Sequence, residues 1–458
     1  MIQKSRIAGL LATLALLLGV AAVGWFRHRE RAQHTEAALP SKSAEAPVSS
    51  LADQQLRIAE RKVKILPNDP GPYVELATAY MHKARETGDG AYYGRAEAAC
   101  KKALELDPHH YGAVRLVSWV YCGQHRFREA LTAANKALEV DPGDPWNYGT
   151  LGDALVELGE YQQAVEAYQK MVDLRPDVNA YTRVAHIREL YGDPQGAIEI
   201  MGMAVRAASS RDREHSAWCR VQLGHLLFNS GRLADAQGQY QAALQIFPEY
   251  HFALAGMGKV RAAQEKFNEA IQFYQKSIDV LPTHESVAAL VDLFTYLKRP
   301  EEAAKQFELL ETVERINRAS GVLPESSTAL FYADHDRRLD EALRIARQQA
   351  NQRRDIRTLD TLAWVLFKNG HHEEALAAST RAMRLGTKDA LMSYHHGMIQ
   401  AKLGRDQEAT AALQQALNTN PYFNLRHSEQ ARAALQAASH GVDLASIAST
   451  LVQQPNRP

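Results

Sequence analysis

Residues 145–177 read PWNYGTLGDALVELGEYQQAVEAYQKMVDLRPD. Tyr148, Leu151 and Leu155 share one face of a helix. Gly159 ends it, because a helix C-terminus often turns through a left-handed backbone that glycine adopts freely. A second helix sets Ala164, Tyr168 and Met171 on one stripe, and Pro176 stops it. Gly152 and Ala164 are small where the two antiparallel helices must approach. Such a hairpin cannot bury its stripe alone; stacked on neighbours, it can.

The neighbours are present. Pro108, Pro142 and Pro176 are spaced by 34 residues, as are Pro248 and Pro282. An alanine opening an amphipathic helix recurs as Ala96, Ala130, Ala164, Ala197, Ala236, Ala270, Ala303, Ala342, Ala375 and Ala409. The intervals are 33 or 34 residues, with two of 39. Ten units therefore follow one plan. Two depart in detail: the unit around Ala303 has Val291 at the small position and Pro300 in its turn, and the unit around Ala342 lacks the closing proline.

Leu151-Gly152, Leu155, Gly159, Tyr161, Ala164, Tyr168 and Pro176 resemble the tetratricopeptide repeat. The same positions recur as Leu223-Gly224, Gly231, Ala236, Tyr240 and Pro248, and as Met257-Gly258, Phe267, Ala270, Tyr274 and Pro282. The resemblance covers about residues 68–424. It implies an all-α fold, a right-handed superhelical solenoid of about ten helix-turn-helix repeats plus flanking helices. Residues 51–67 read as a preceding helix, 425–440 as a helix capping the last apolar face, and 441–458 as a tail. A shared scaffold is not a shared chemistry.

Composition narrows the function. Apolar residues make up 46% and charged residues 23%, which suits a chain with a substantial core. Lys plus Arg equals Asp plus Glu, 53 each, so the clustered positive charge that nucleic acid requires is missing. Cys100, Cys122 and Cys219 form no CxxC pair and read as small apolar residues. Residues 1–30 contain an uncharged run, Ile7–Phe26, long enough for a helix of about 30 Å. That run predicts a transmembrane anchor or a signal segment, followed by a flexible linker over residues 31–50. The expectation is a single-pass, membrane-anchored chain whose bulk faces the periplasm or exterior. Secretion after signal cleavage and a cytoplasmic face are the alternatives.

No catalytic constellation stands out. His371–Glu374 reads HHEE rather than HExxH, Gly256–Lys259 lacks the spacing of a phosphate loop, and there is no Gly-x-Ser-x-Gly. Neither enzymatic activity nor a cofactor or metal is expected. The pairs His109-His110, His371-His372 and His395-His396 read as structural, since adjacent helical residues point about 100° apart. The resemblance implies that the second and ninth positions of each first helix line a concave groove that receives peptides. These are Trp146 and Trp218 at the second, and Trp119, Asp153, His186, His225, Lys259, Phe331 and Trp364 at the ninth. The expected function is a membrane-tethered scaffold that binds a protein or peptide segment there and supports assembly of an envelope complex. A cytoplasm-facing regulatory or quality-control subunit is the alternative. On this reading Trp119→Ala with Trp364→Ala weakens partner capture and leaves melting nearly unchanged.

Overall fold

The computed structural model describes residues 50–319 and 325–452. Among them every regular element is helical. Helix α1 (Leu51–Ile65) precedes ten pairs. Units 1 to 5 are α2 (Pro70–Thr87) with α3 (Ala91–Leu106), α4 (Tyr111–Gly123) with α5 (Phe127–Val140), α6 (Pro145–Glu157) with α7 (Tyr161–Leu174), α8 (Val178–Leu190) with α9 (Pro194–Ala207), and α10 (Arg213–Asn229) with α11 (Leu233–Ile246). Units 6 to 10 are α12 (His251–Ala263) with α13 (Phe267–Val280), α14 (His284–Tyr296) with α15 (Pro300–Ala319), α16 (Ser326–Asp334) with α17 (Leu339–Gln352), α18 (Ile356–Lys368) with α19 (His372–Ala382), and α20 (Ala390–Lys402) with α21 (Asp406–Thr419). Two flanking helices, α22 (Leu425–Ser439) and α23 (Leu444–Val452), follow.

Local chemistry explains the boundaries. Asp144, Asp177, Asp355 and Asp389 precede first helices, and each carboxylate accepts a backbone N–H from the opening turn. Pro145 and Pro300 sit at helix starts, where the missing N–H is not needed. All ten recurring alanines are buried between paired helices. The small residue at Gly152 has a more specific cause than helix approach. A Cβ there would lie 2.2 Å from the ring of Tyr168, and at Gly224 and Gly256 one would lie 2.5 Å from that of Tyr240. The repeat's tyrosine occupies the place of the absent side chain.

The ladder of pairs also closes on itself. The Tyr161 hydroxyl of unit 3 accepts the Ile356 N–H of unit 9 at 2.8 Å. Glu157 O accepts the Arg354 N–H at 3.0 Å, while the Glu157 carboxylate pairs with Arg353. One unit on, Thr387 donates to Leu190 O; one further, Asn420 Nδ2 donates to Phe228 O at 2.9 Å. Arg128 of unit 2 reaches Asn351 O of unit 8 at 3.1 Å. Each contact joins a unit to the position six repeats on, or to the junction just before it. Leu155, Tyr161, Ile356, Leu359 and Met392 bury one apolar cluster across this seam. The solenoid thus completes a turn in about six units, with its second turn packed on the first.

The expected membrane placement is not upheld. Among the described residues no helix is long and apolar enough to cross a membrane. The longest, α15, has 20 residues but carries Glu301, Glu302, Lys305, Glu308, Glu311, Glu314, Arg315 and Arg318. The run Ile7–Phe26 and the linker expectation over residues 31–49 lie outside the described residues.

Candidate peptide-binding groove

The nine residues expected in the groove fall into two groups. Trp119, Trp146, Trp218, Asp153, His186, His225 and Lys259 lie on first helices of units 2 to 6, and each keeps some exposure. Phe331 and Trp364, on units 8 and 9, are buried at 5% and 2% exposure. Against expectation, neither ring is open to a ligand in this structure. Phe331 is covered by Phe307 and His284 of unit 7, and Trp364 in part by α22, which lies against the first helices of units 7 to 10. Glu429 accepts from the Tyr296 hydroxyl, Arg426 donates to Asp334 O, His427 faces Trp364, and Gln430 accepts from the Tyr394 hydroxyl. Rather than only covering the last unit, this helix fills the inner face. Trp364 donates to Asp334 at 2.7 Å and stacks on His395 at 4.3 Å. Phe331 packs on Phe307 and His335, and Met398 is buried as well.

The inner face of units 1 to 6 is different. Trp119 meets Trp146 edge-to-face at 5.2 Å, with His82 against its other side at 5.9 Å. The Arg115 guanidinium lies 5.4 Å from the Trp146 ring centroid and pairs with Asp144 at 3.0 Å. Trp218 lies beside His215 at 5.9 Å. Asp153 is committed to structure, accepting from the Tyr168 hydroxyl at 2.9 Å and from Arg183 at 2.8 and 2.6 Å. His225 is similarly engaged with the Tyr240 hydroxyl at 2.8 Å. His186 keeps 41% of its side chain exposed beside Glu189. Burial raises the Glu189 pKa, but the His186 hydrogen bond and the Arg357 charge outweigh it and hold the carboxyl at about 2.

Lys259 defines the character of the interior. The residue is exposed, and its ammonium lies 4.4 Å from the Phe228 ring centroid. Desolvation lowers its pKa, Asp389 opposes that, and Arg357 adds to it. Those two charges come from the start of unit 10 and from unit 9, so Lys259 faces the second turn of the solenoid. A cleft of about 570 Å³ opens nearby at the seam, lined in part by Glu189, Asn229, Lys388, Gln414 and Asn418. Register alone indicated the tryptophans but not Arg115, Arg183 or Arg357. Arg357 reaches Glu189 only because the turns stack.

The geometry can be set beside known proteins. Sequence models described as "Tetratricopeptide repeat" match residues 122–186, 221–283 and 361–422. The chain carries tetratricopeptide repeats. Small glutamine-rich tetratricopeptide repeat-containing protein 2 of Mycosarcoma maydis is 42% identical over 86 residues, 18% of this chain and 24% of that protein. Tetratricopeptide repeat protein 36 of Mus musculus is 31% identical over 121 residues, 26% of this chain and 59% of that protein. Anaphase-promoting complex subunit 3 of Schizosaccharomyces pombe is 23% identical over 232 residues, covering 50% of this chain and 33% of that protein. The chain spans 24% and 13% of the length of the first two curated relatives it matches. Among solved structures, the Cut9–Hcn1 assembly is similar at a TM-score of 0.47 and 15% identity, covering 77% of this chain and 60% of that one. PilF of Pseudomonas aeruginosa is similar at 0.38 and 16%, over 44% and 91%.

The buried histidines of the repeats carry a pH dependence. Desolvation holds His215, His225 and His251 at about 4, with Arg85 adding at His215 and Lys259 at His225. In the unfolded chain these imidazoles take up a proton near about 6.5. Between the two values the unfolded state binds more protons, so stability is full above about 6.5 and falls as pH drops towards 4. The thermal midpoint should therefore decline from pH 6.5 to 5, before most carboxylates titrate. His251→Leu should make that decline shallower, because His251 is buried and its Nε2 has no partner among the described residues. A midpoint flat across that interval contradicts the expectation.

Proposed function

We propose that this chain is a scaffold that captures a protein segment along the inner face of units 1 to 6. Trp119, Trp146 and Trp218 supply the apolar contacts, and His186 and Lys259 the polar ones. Asp153 and His225, tied to Arg183, Tyr168 and Tyr240, shape the wall. The supporting observation is the partly exposed Trp119–Trp146 pair, held edge-to-face with Arg115 beside Trp146. Large, rigid aromatic side chains that are only partly covered lose little entropy on binding, and Trp, Tyr and Arg dominate interface energetics. One relative is named as a subunit of a protein complex, which agrees with such a role.

The test is a displayed peptide library selected on the full chain, followed by titration of the recovered peptide. Replacing both Trp119 and Trp146 with Ala should weaken binding at least about tenfold, or roughly 1.4 kcal/mol. Helical content by circular dichroism should stay unchanged. Equal affinity of wild type and double variant would falsify the groove assignment.

A further inference from the structure

Outside the groove, three metal-ligating side chains converge from separate elements. Asp334 ends α16, His395 lies within α20, and His427 lies on α22. One ligand atom from each falls within 4.8 Å of the others. Both imidazoles are buried, at 0% and 3% side-chain exposure, and Asp334 is nearly so. Each ring is clamped: His395 stacks on Trp364 at 4.3 Å, and His427 on Tyr394 at 4.7 Å.

The hydrogen bonding is incomplete in an informative way. His395 Nδ1 pairs with Asp360 at 2.9 Å, which leaves Nε2 as the free nitrogen. That Nε2 and His427 Nδ1 are buried with no partner among the described residues. His427 Nε2 stands 3.6 Å from Asp334 Oδ1, beyond a good hydrogen bond. Burying a polar atom unpaired is costly, and His395 Nε2 is such an atom in a cluster where His427 turns Nε2 towards Asp334, whose Oδ1 accepts from Trp364 at 2.7 Å. A carboxylate on the far nitrogen of an imidazole fixes its tautomer and orients its lone pair, as outer partners of metal-bound histidines do. The neighbouring cations are already engaged, Arg426 with Asp334 O and Lys368 with Asp336 at 2.6 Å.

We propose that Asp334, His395 and His427 bind a single divalent transition-metal ion that fastens α22 to the inner face of units 8 and 10. Two imidazoles and one carboxylate suit zinc, whose ligand bonds are about 2.0–2.2 Å. At that length and at tetrahedral angles two ligand atoms on one ion stand about 3.3–3.6 Å apart, so the cluster closes onto it by inward side-chain shifts on the order of 1 Å. The histidine pair at 395 and 396 does not act together; His396 instead pairs with Ser379 at 2.7 Å.

The experiment uses the untagged full chain, stripped with chelator and titrated with zinc against a chromophoric competitor. Native mass spectrometry gives the stoichiometry. One equivalent should bind, the thermal midpoint should rise, and cobalt substitution should give the visible spectrum of a low-coordinate nitrogen–oxygen site. His395→Gln and His427→Gln should each weaken binding by at least about tenfold, and Asp360→Asn by about 10–100-fold. Asp360→Asn removes no ligand, so it serves where the histidine variants fold poorly. Zinc should also slow hydrogen exchange in residues 425–439. Failure of the folded wild type to bind at about 100 µM free zinc, or full binding by all three variants, overturns the proposal.

Discussion

Trp364→Ala should lower the free energy of unfolding by about 3–5 kcal/mol, the range for emptying a buried aromatic site. The indole is 2% exposed, stacks on His395 and Phe367, and donates to Asp334. Removing it leaves a cavity and deprives a carboxyl whose pKa is already raised, first by desolvation, of one of its donors. Trp364→Phe retains much of the ring but not the N–H, and should cost about 1–3 kcal/mol. Urea denaturation with hydrogen exchange of residues 356–402 measures this, since repeat arrays lose stability locally. An unchanged urea midpoint and exchange pattern in Trp364→Ala returns the residue to the groove surface. By contrast Trp119→Ala, at a partly exposed site, should change stability by about 1 kcal/mol or less. Pairing these two substitutions, as the repeat register invites, would therefore confuse a folding defect with lost binding.

Gly159→Ala and Gly192→Ala should open the seam between turns, while Gly370→Ala and Gly404→Ala should not. All four glycines close a first helix with positive φ: 78°, 75°, 82° and 71°. An L-residue in that region costs about 1–2 kcal/mol at each of them. The difference lies beyond the backbone. A Cβ on Gly159 would stand 2.6 Å from Arg354 O, and one on Gly192 2.3 Å from Gly386 O. At Gly370 and Gly404 nothing lies within 4 Å. A clash with backbone cannot be relieved by side-chain rotation, so the turns must separate. The Arg354 and Ile356 amides, which donate to Glu157 O and the Tyr161 hydroxyl, report on this directly. Their exchange should accelerate by at least about tenfold in Gly159→Ala, corresponding to about 1.4 kcal/mol of lost local protection. Equal exchange in Gly159→Ala and Gly370→Ala would show that the seam does not constrain the turn.

The helix pairs were legible because their causes are local. The stripe of Leu151, Leu155, Ala164 and Tyr168 repeats wherever a hairpin must bury itself against the next. Asp144 or Asp177 before a first helix and Gly159 after one mark its ends within a few residues. The partly exposed Trp119 and Trp146 were also legible, as aromatics placed off the position that normally packs the repeat. Trp364 occupies the same register as Trp119 but not the same environment. Part of its cover comes from α22, whose His427 and Glu429 lie outside the repeat and carry no periodic signal.

By itself, then, the sequence determined the unit, its number and its helix boundaries, because each depends on contacts within one hairpin or its immediate neighbour. Only the tertiary structure decided that the solenoid closes on itself after about six units. That closure separates Gly159 from Gly370 and brings Arg357 to Glu189. It also decided that units 7 to 10 hold their own helix, and so joins Asp334, His395 and His427. These outcomes follow from the small rotation between successive units, summed over many repeats. No single repeat encodes that sum in a pattern that can be read from its residues.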